Sequence, residues 1–172
     1  AVELGHAELI GHGVDVMHED NPHALLRELA DRHIMVEINL TSPDVILGIV
    51  PPYHPLPEYL EAHVPAALST DDEGVSRIDL THEYLRAAME YGLGYLDLKT
   101  MARTSVEHSF LPGESLWAAP DVFTRFRAAC ANQAPGNAEP TGDCRKLLDS
   151  SEKAAQQWEL EHRFALFEMR QP

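Results

Sequence analysis

Basic residues are scarce in this chain: 13 lysines and arginines stand against 28 aspartates and glutamates, a formal charge of −15 over 172 residues. So acidic a chain repels phosphate backbones and anionic membrane faces, so neither nucleic acid nor a membrane surface is expected as a partner. Long apolar runs are missing too, which excludes a membrane-spanning helix. The 44% hydrophobic and 24% charged content instead fits a soluble globular chain of single-domain length. Ala1-Val2-Glu3-Leu4-Gly5 has neither the basic nor the apolar part of a signal peptide, so any export signal is expected upstream. Internal repeats and a glycine-rich phosphate loop are also absent. Only two cysteines occur, Cys130 and Cys144, on either side of a loop over 134–142 that contains Pro135, Gly136, Pro140 and Gly142. They could pair if the chain is exported or stay as two thiols in the cytoplasm, and both compartments remain open.

What is present centres on Ala66-Ala67-Leu68-Ser69-Thr70-Asp71-Asp72-Glu73-Gly74, a short apolar run that ends in three acids. Small and apolar residues between Pro65 and Gly74 predict a strand covered on both faces, as in parallel sheets. Its carboxylates then lie at the C-terminal end, where α/β folds gather their chemistry. Successive side chains alternate in direction, so one of Asp71 and Asp72 would face a metal and the other a substrate. The plain alternative is that the pair caps the following helix or solvates a turn.

Upstream, Glu8-Leu9-Ile10-Gly11-His12-Gly13-Val14 predicts another strand end, with His12 between glycines that let the backbone take unusual angles. Asn21-Pro22 starts a helix carrying Ala24, Leu25, Leu26, Leu29 and Ala30 at helical spacing. Residues 34–42 predict a strand with polar Glu37 and Asn39, stopped by Ser42-Pro43. Prolines make 48–57 a loop, and 58–63 is at most a short helix. Helices are expected from Asp79 through Tyr91 and over 97–108. In the tail, one helix is expected over 120–131 and a longer one over 150–169. The latter carries an apolar face of Ala154, Trp158, Leu160, Phe164, Phe167 and Met169 that should dock on the domain.

Three strand-like segments therefore end in His12, Glu37 with Asn39, and Asp71 with Asp72, all on one rim if the strands are parallel. Imidazole and carboxylate suit zinc, but a catalytic zinc needs three protein ligands and the chain offers at most two convincing ones. His6-Ala7-Glu8 matches only the first half of the H-x-E…P-C-x-x-C signature, and no Pro-Cys-x-x-Cys follows, which excludes that family.

The segments Ile10-Gly11-His12-Gly13, Ser69-Thr70-Asp71-Asp72 and 102–112, which contains Ala102-Arg103-Thr104-Ser105 and Ser109-Phe110-Leu111-Pro112, occur in an order and spacing that resembles the C-terminal half of the adenosine deaminase family. The resemblance runs from the start to about Trp117. It implies a zinc-dependent (β/α)8 barrel of the amidohydrolase superfamily that replaces a purine 6-amino group with oxygen. It further implies that Asp71 is a zinc ligand that also takes a proton from the attacking water. Asp72 would hydrogen-bond a purine ring nitrogen, and His12 would orient the water and stabilise developing charge.

The family's His-x-His motif and its His-Ala-Gly-Glu motif, which supply three zinc histidines and the acid, are absent from this chain. The expected fold is thus α/β, strands six to eight of a TIM-type barrel that typically needs about 250 residues. Residues 1–117 would form that part, and 118–172 a helical extension packed on it. The expected function is zinc-dependent deamination of adenosine or a related 6-aminopurine, with this chain an incomplete part, inactive alone and self-associating through the open barrel edge. Another amidohydrolase acting on a ring amide, or a non-catalytic binding module from the same barrel, are the alternatives.

Overall fold

The computed structural model describes residues 2–170, which divide into two compact units parted between Ser105 and Val106. The first holds three strands, β1 (Leu9–Gly11), β2 (Met35–Ile38) and β3 (Ala66–Leu68), in a parallel sheet of order β1-β2-β3. Ile10 lies opposite Val36, and Val36 opposite Ala66, so the strands are level with one another. Their C-terminal ends therefore share one rim, as the sequence requires for His12, Asn39 and Asp71 to meet.

The helices of this unit are α1 (Val2–Gly5), α2 (Pro22–Asp31), α3 (Thr41–Leu47), α4 (Leu56–Glu61), α5 (Glu73–Ser76), α6 (Leu80–Tyr91) and α7 (Tyr95–Glu107), the last running across the division. Local chemistry sets their ends. The Asn21 side chain accepts from the Ala24 amide ahead of Pro22, and that of Asp79 accepts from the His82 amide at 2.9 Å. Gly92, at φ 68°, closes α6 in the left-handed conformation that glycine adopts without steric cost. Leu26 and Leu29 of α2 pack with Val36, Ile38, Leu56 and Tyr59 into one core, joined by Ala87 of α6 and Met101 of α7. Each fully buried leucine contributes roughly 2 kcal/mol by leaving water.

Two expectations are corrected here. The strand expected over 34–42 ends already at Ile38, and Ser42-Pro43 lies inside α3. A proline in the first helical turn loses nothing, because the first amides of a helix have no partner within it. The three strands also prove shorter than the apolar runs that announced them.

The second unit contains α8 (Gly142–Ser150) and α9 (Glu152–Glu168). The helix expected over 150–169 forms as α9, with Ser151 as its cap, whose hydroxyl accepts from the Ala154 amide; α8 ahead of it is the element the sequence reading lacked. The expected helix over 120–131 does not form. There Trp117 bridges Phe126 in antiparallel fashion, Arg127 N donates to the Leu116 carbonyl at 2.8 Å, and Asp121 adopts φ 55°. Antiparallel backbone pairing within the chain and aromatic packing of Phe123 and Phe126 on Trp117 outweigh helix propensity in that stretch. Cys130 and Cys144 are joined as a disulfide and are fully buried with Leu116, Ala154 and Trp158. The apolar face of α9 thus begins on the disulfide loop of its own unit, while Phe167 and Met169 stay exposed. Among the described residues no helix is long and apolar enough to cross a membrane.

Candidate functional site

The rim is built from three chain turns. After β1, His12 N donates to the Glu37 carbonyl at 2.9 Å, and the backbone then turns through two left-handed residues, His12 at φ 63° and Gly13 at φ 60°. The Tyr59 hydroxyl donates to the Gly13 carbonyl at 2.7 Å and fixes that turn from below. Burial pushes the Tyr59 phenol up, so it is protonated and a donor throughout the physiological range.

After β3, Asp71 also takes a left-handed conformation, φ 52°, which short polar side chains tolerate. This directs its carboxylate toward His12, whose Nε2 lies 3.6 Å from Asp71 Oδ2. The same Oδ2 accepts a 2.6 Å hydrogen bond from Ser42 Oγ, in the first turn of α3 after β2. His12 and Asp71 keep 43% and 31% of their side-chain surface open to solvent, so the pair faces solvent rather than the core.

Asn39 is buried beneath this pair, and its Nδ2 donates to the Ser69 carbonyl at 3.0 Å, tying the end of β2 to the end of β3. Its own carbonyl accepts from His54 Nε2 at 3.2 Å, while His54 Nδ1 accepts from the Leu56 amide at 3.1 Å. Both ring nitrogens are engaged, so His54 is neutral and closed to metal. Burial lowers its pKa, against the opposing pull of the Asn39 carbonyl.

Asp72 is exposed beside Asp71. Its backbone carbonyl accepts from Val75 and Ser76, but its side chain makes no capping hydrogen bond to α5. The capping alternative is therefore not what its carboxylate does. Glu37 is half-buried and reaches the rim through its backbone carbonyl.

Two residues at the rim escape a reading of the sequence. Ser42 stands before a proline and looks like a strand terminator. Glu83 looks like one more polar position of α6, yet it is completely buried with its carboxylate against Leu40 and Thr41.

Chemically, the rim offers a carboxylate of fixed orientation beside an imidazole, a pair suited to orienting a water and moving its proton. As a metal centre it is partial. Among the described residues no three His, Cys, Asp or Glu side chains converge as a ligand set, so Asp71 with its neighbour His12 fits zinc only as a fraction of a site.

The family model described as adenosine deaminase matches residues 1–118. The adenosine deaminase of Shewanella loihica is 40% identical over 111 residues, 63% of this chain and 32% of that protein. That of Escherichia coli strain SE11 is 39% identical over 113 residues, 65% and 33%. The chain thus spans about a third of the length of the curated relatives it matches.

Among solved structures, the apo N6-methyl-AMP deaminase of Arabidopsis thaliana superposes with a TM-score of 0.52 at 30% identity, covering 61% of this chain and 30% of that one. An adenine deaminase from Arthrobacter aurescens shares the fold at a TM-score of 0.57 and 19% identity, over 65% of this chain and 34% of that one. The matched residues carry the whole rim, from His12 through Ser42 to Asp71 and Asp72, and on that match the chain belongs to the adenosine deaminase family.

Proposed function

We propose that this chain is the C-terminal part, strands six to eight, of a zinc-dependent barrel that hydrolytically deaminates adenosine or a related 6-aminopurine. The observation that carries the reading is the convergence of His12, Ser42 and Asp71 at the C-terminal end of a parallel sheet. Asp71 would be this chain's zinc ligand, the other ligands coming from outside it. Zinc held there supplies Lewis acidity that makes water nucleophilic near neutral pH. The chain's own residues do the rest of what is proposed for it. Asp71, held by Ser42, accepts a proton from the attacking water. His12, 3.6 Å away, orients that water and stabilises negative charge as it develops. Asp72, without a capping bond to hold it, is free to turn toward a purine ring nitrogen.

The relatives named above act, by their names, on adenosine, adenine and N6-methyl-AMP, which share a purine bearing nitrogen at C6. They differ in what is attached at N9 and, for N6-methyl-AMP, in a methyl group on the C6 nitrogen itself. Adenosine is favoured because relatives named for it are about 40% identical. Alone, the chain is proposed to be inactive and to associate with copies of itself through the outer edge of β1, which pairs with no strand among the described residues. The Cys130–Cys144 disulfide supports an oxidising compartment.

The test is a chimera in which residues 1–118 of this chain replace the matching third of the Shewanella relative. The expected result is ammonia release from adenosine with zinc bound, lost on Asp71→Ala. A folded, zinc-loaded chimera silent toward adenosine, adenine and N6-methyl-AMP alike would overturn the reading. For the isolated chain, a monodisperse monomer in light scattering would remove the self-association.

A further inference from the structure

We infer that Glu83 is the positioning residue of this rim: through the Leu40-Thr41 turn it holds Ser42 in place to fix the Asp71 carboxylate. The role rests on the deaminase reading for its purpose, though not for its geometry. Glu83 stands in the first turn of α6 and is fully excluded from solvent. A carboxylate in that position persists only where several donors meet it. Three do. Leu40 N donates to Oε2 at 2.7 Å, Thr41 N to the same oxygen at 3.3 Å, and the Thr41 hydroxyl to Oε1.

The turn is gripped from its carbonyl side as well. Arg86, one helical turn further along α6, donates through Nη1 to the Leu40 carbonyl at 3.1 Å and to Thr41 Oγ1 at 3.3 Å. Arg86 is itself held by Asp44 at 2.9 Å and Glu90 at 2.7 Å. The residue immediately after this doubly held pair is Ser42, 3% exposed, whose hydroxyl reaches Asp71. Packing alone does not ask for a carboxylate at 83, since leucine fills the same space without the cost of burying polar atoms. The carboxylate is what places two amides and one hydroxyl at once, and a shift of an ångström in them moves Ser42 Oγ beyond hydrogen-bonding distance of Asp71.

The experiment compares the full 172-residue chain with its Glu83→Gln, Glu83→Leu and Thr41→Val variants by NMR. It reads the Ser42 χ1 couplings, the Asp71 side-chain carboxyl shift and amide exchange at Leu40 and Thr41. Glutamine can accept from both amides and donate to the Thr41 hydroxyl, so Glu83→Gln is expected to keep a single Ser42 rotamer and the wild-type Asp71 shift. Glu83→Leu is expected to average the Ser42 rotamers, move the Asp71 signal, and speed exchange at the two amides about tenfold relative to Glu83→Gln. Thr41→Val deletes one of the three Glu83 contacts together with the 3.3 Å Arg86 bond to the same hydroxyl, leaves both amide bonds to Glu83, and should give the same change in smaller degree. It decides the matter if Glu83→Leu does not fold.

A lowered melting temperature alone would accompany any packing role, but the Ser42 and Asp71 signals would not move with it. Unchanged signals in a folded Glu83→Leu, or in Thr41→Val if that variant alone folds, overturn the proposal. No substrate enters the measurement, so a silent chimera would refute the deaminase reading while leaving this result standing, and the reverse holds equally.

Discussion

Ser42 Oγ donates to Asp71 Oδ2 at 2.6 Å, joining residues from the ends of two neighbouring strands, and that same oxygen is the one 3.6 Å from His12 Nε2. The bond selects one orientation of an otherwise partly exposed carboxylate. It also makes the pairing of Asp71 with His12 a property of the sheet, because β1, β2 and β3 each contribute one member at matched level. Coulomb attraction between half-exposed groups at this distance is weak, so the hydrogen bond and the backbone turns do most of the positioning.

Replacing Ser42 by alanine should therefore lower kcat of the chimera about tenfold while KM changes little, because orientation of a proton acceptor matters most in the transition state. The stability loss expected from one hydrogen bond is about 1 kcal/mol. Steady-state kinetics with a urea titration on the same preparation reads both, and an unchanged kcat would show that Asp71 needs no such restraint.

His54 gives a prediction in pH. Its folded pKa is lowered by burial below the ordinary 6.5, so between the two values the unfolded chain binds the proton and the folded chain does not. The stability of the first unit should be full above about pH 6.5 and decline as pH falls below it. In a His54→Gln variant that part of the slope should be absent. Urea midpoints measured across pH 5 to 7 on both proteins check it, and parallel curves would mean that the imidazole titrates as freely as in the unfolded chain.

The strands and their polar ends were legible because each rests on local signals: a short apolar run, a stop, and an ionisable residue just beyond. His12, Asp71 and Asp72 could be found that way. Ser42 and Glu83 could not, since what marks them is a partner far along the chain, Asp71 for one and the Leu40-Thr41 turn for the other. Residues 120–131 misled for a related reason. Phe123 and Phe126 stand three apart, as on a helix face, but their spacing serves a cluster around Trp117, in a segment pinned by a disulfide to Cys144. The alternative between disulfide and thiols was likewise open until Cys130 and Cys144 were brought together in space.

The disulfide closes a separation of 14 residues and is surrounded by Leu116, Ala154 and Trp158. By the loop-entropy relation its removal should cost the second unit about 3 kcal/mol. A Cys130→Ala/Cys144→Ala variant is expected to lose near-ultraviolet circular dichroism from Trp117 and Trp158 at lower urea than the parent, with the His54 pH slope of the first unit unaffected. Coincident shifts in both would show that the units unfold together.

The turn that presents His12 offers the last prediction. Gly13 has φ 60°, where a β-carbon is strained, and a β-carbon built on it runs into the Tyr59 hydroxyl. Gly13→Ala should thus carry two costs, about 1 kcal/mol for the left-handed backbone and more than that again for the collision. Tyr59→Phe by itself removes the 2.7 Å hydrogen bond to the Gly13 carbonyl and should cost about 1 kcal/mol. In the double variant the obstructing hydroxyl is gone, so the two losses should sum to more than the double variant shows. The same collision should displace His12 relative to Asp71, visible as a change in its ring-proton NMR signals in Gly13→Ala that adding Tyr59→Phe partly reverses. If Gly13→Ala costs the same in both backgrounds, the hydroxyl is no obstacle, and the placement of His12 rests on the backbone conformation alone.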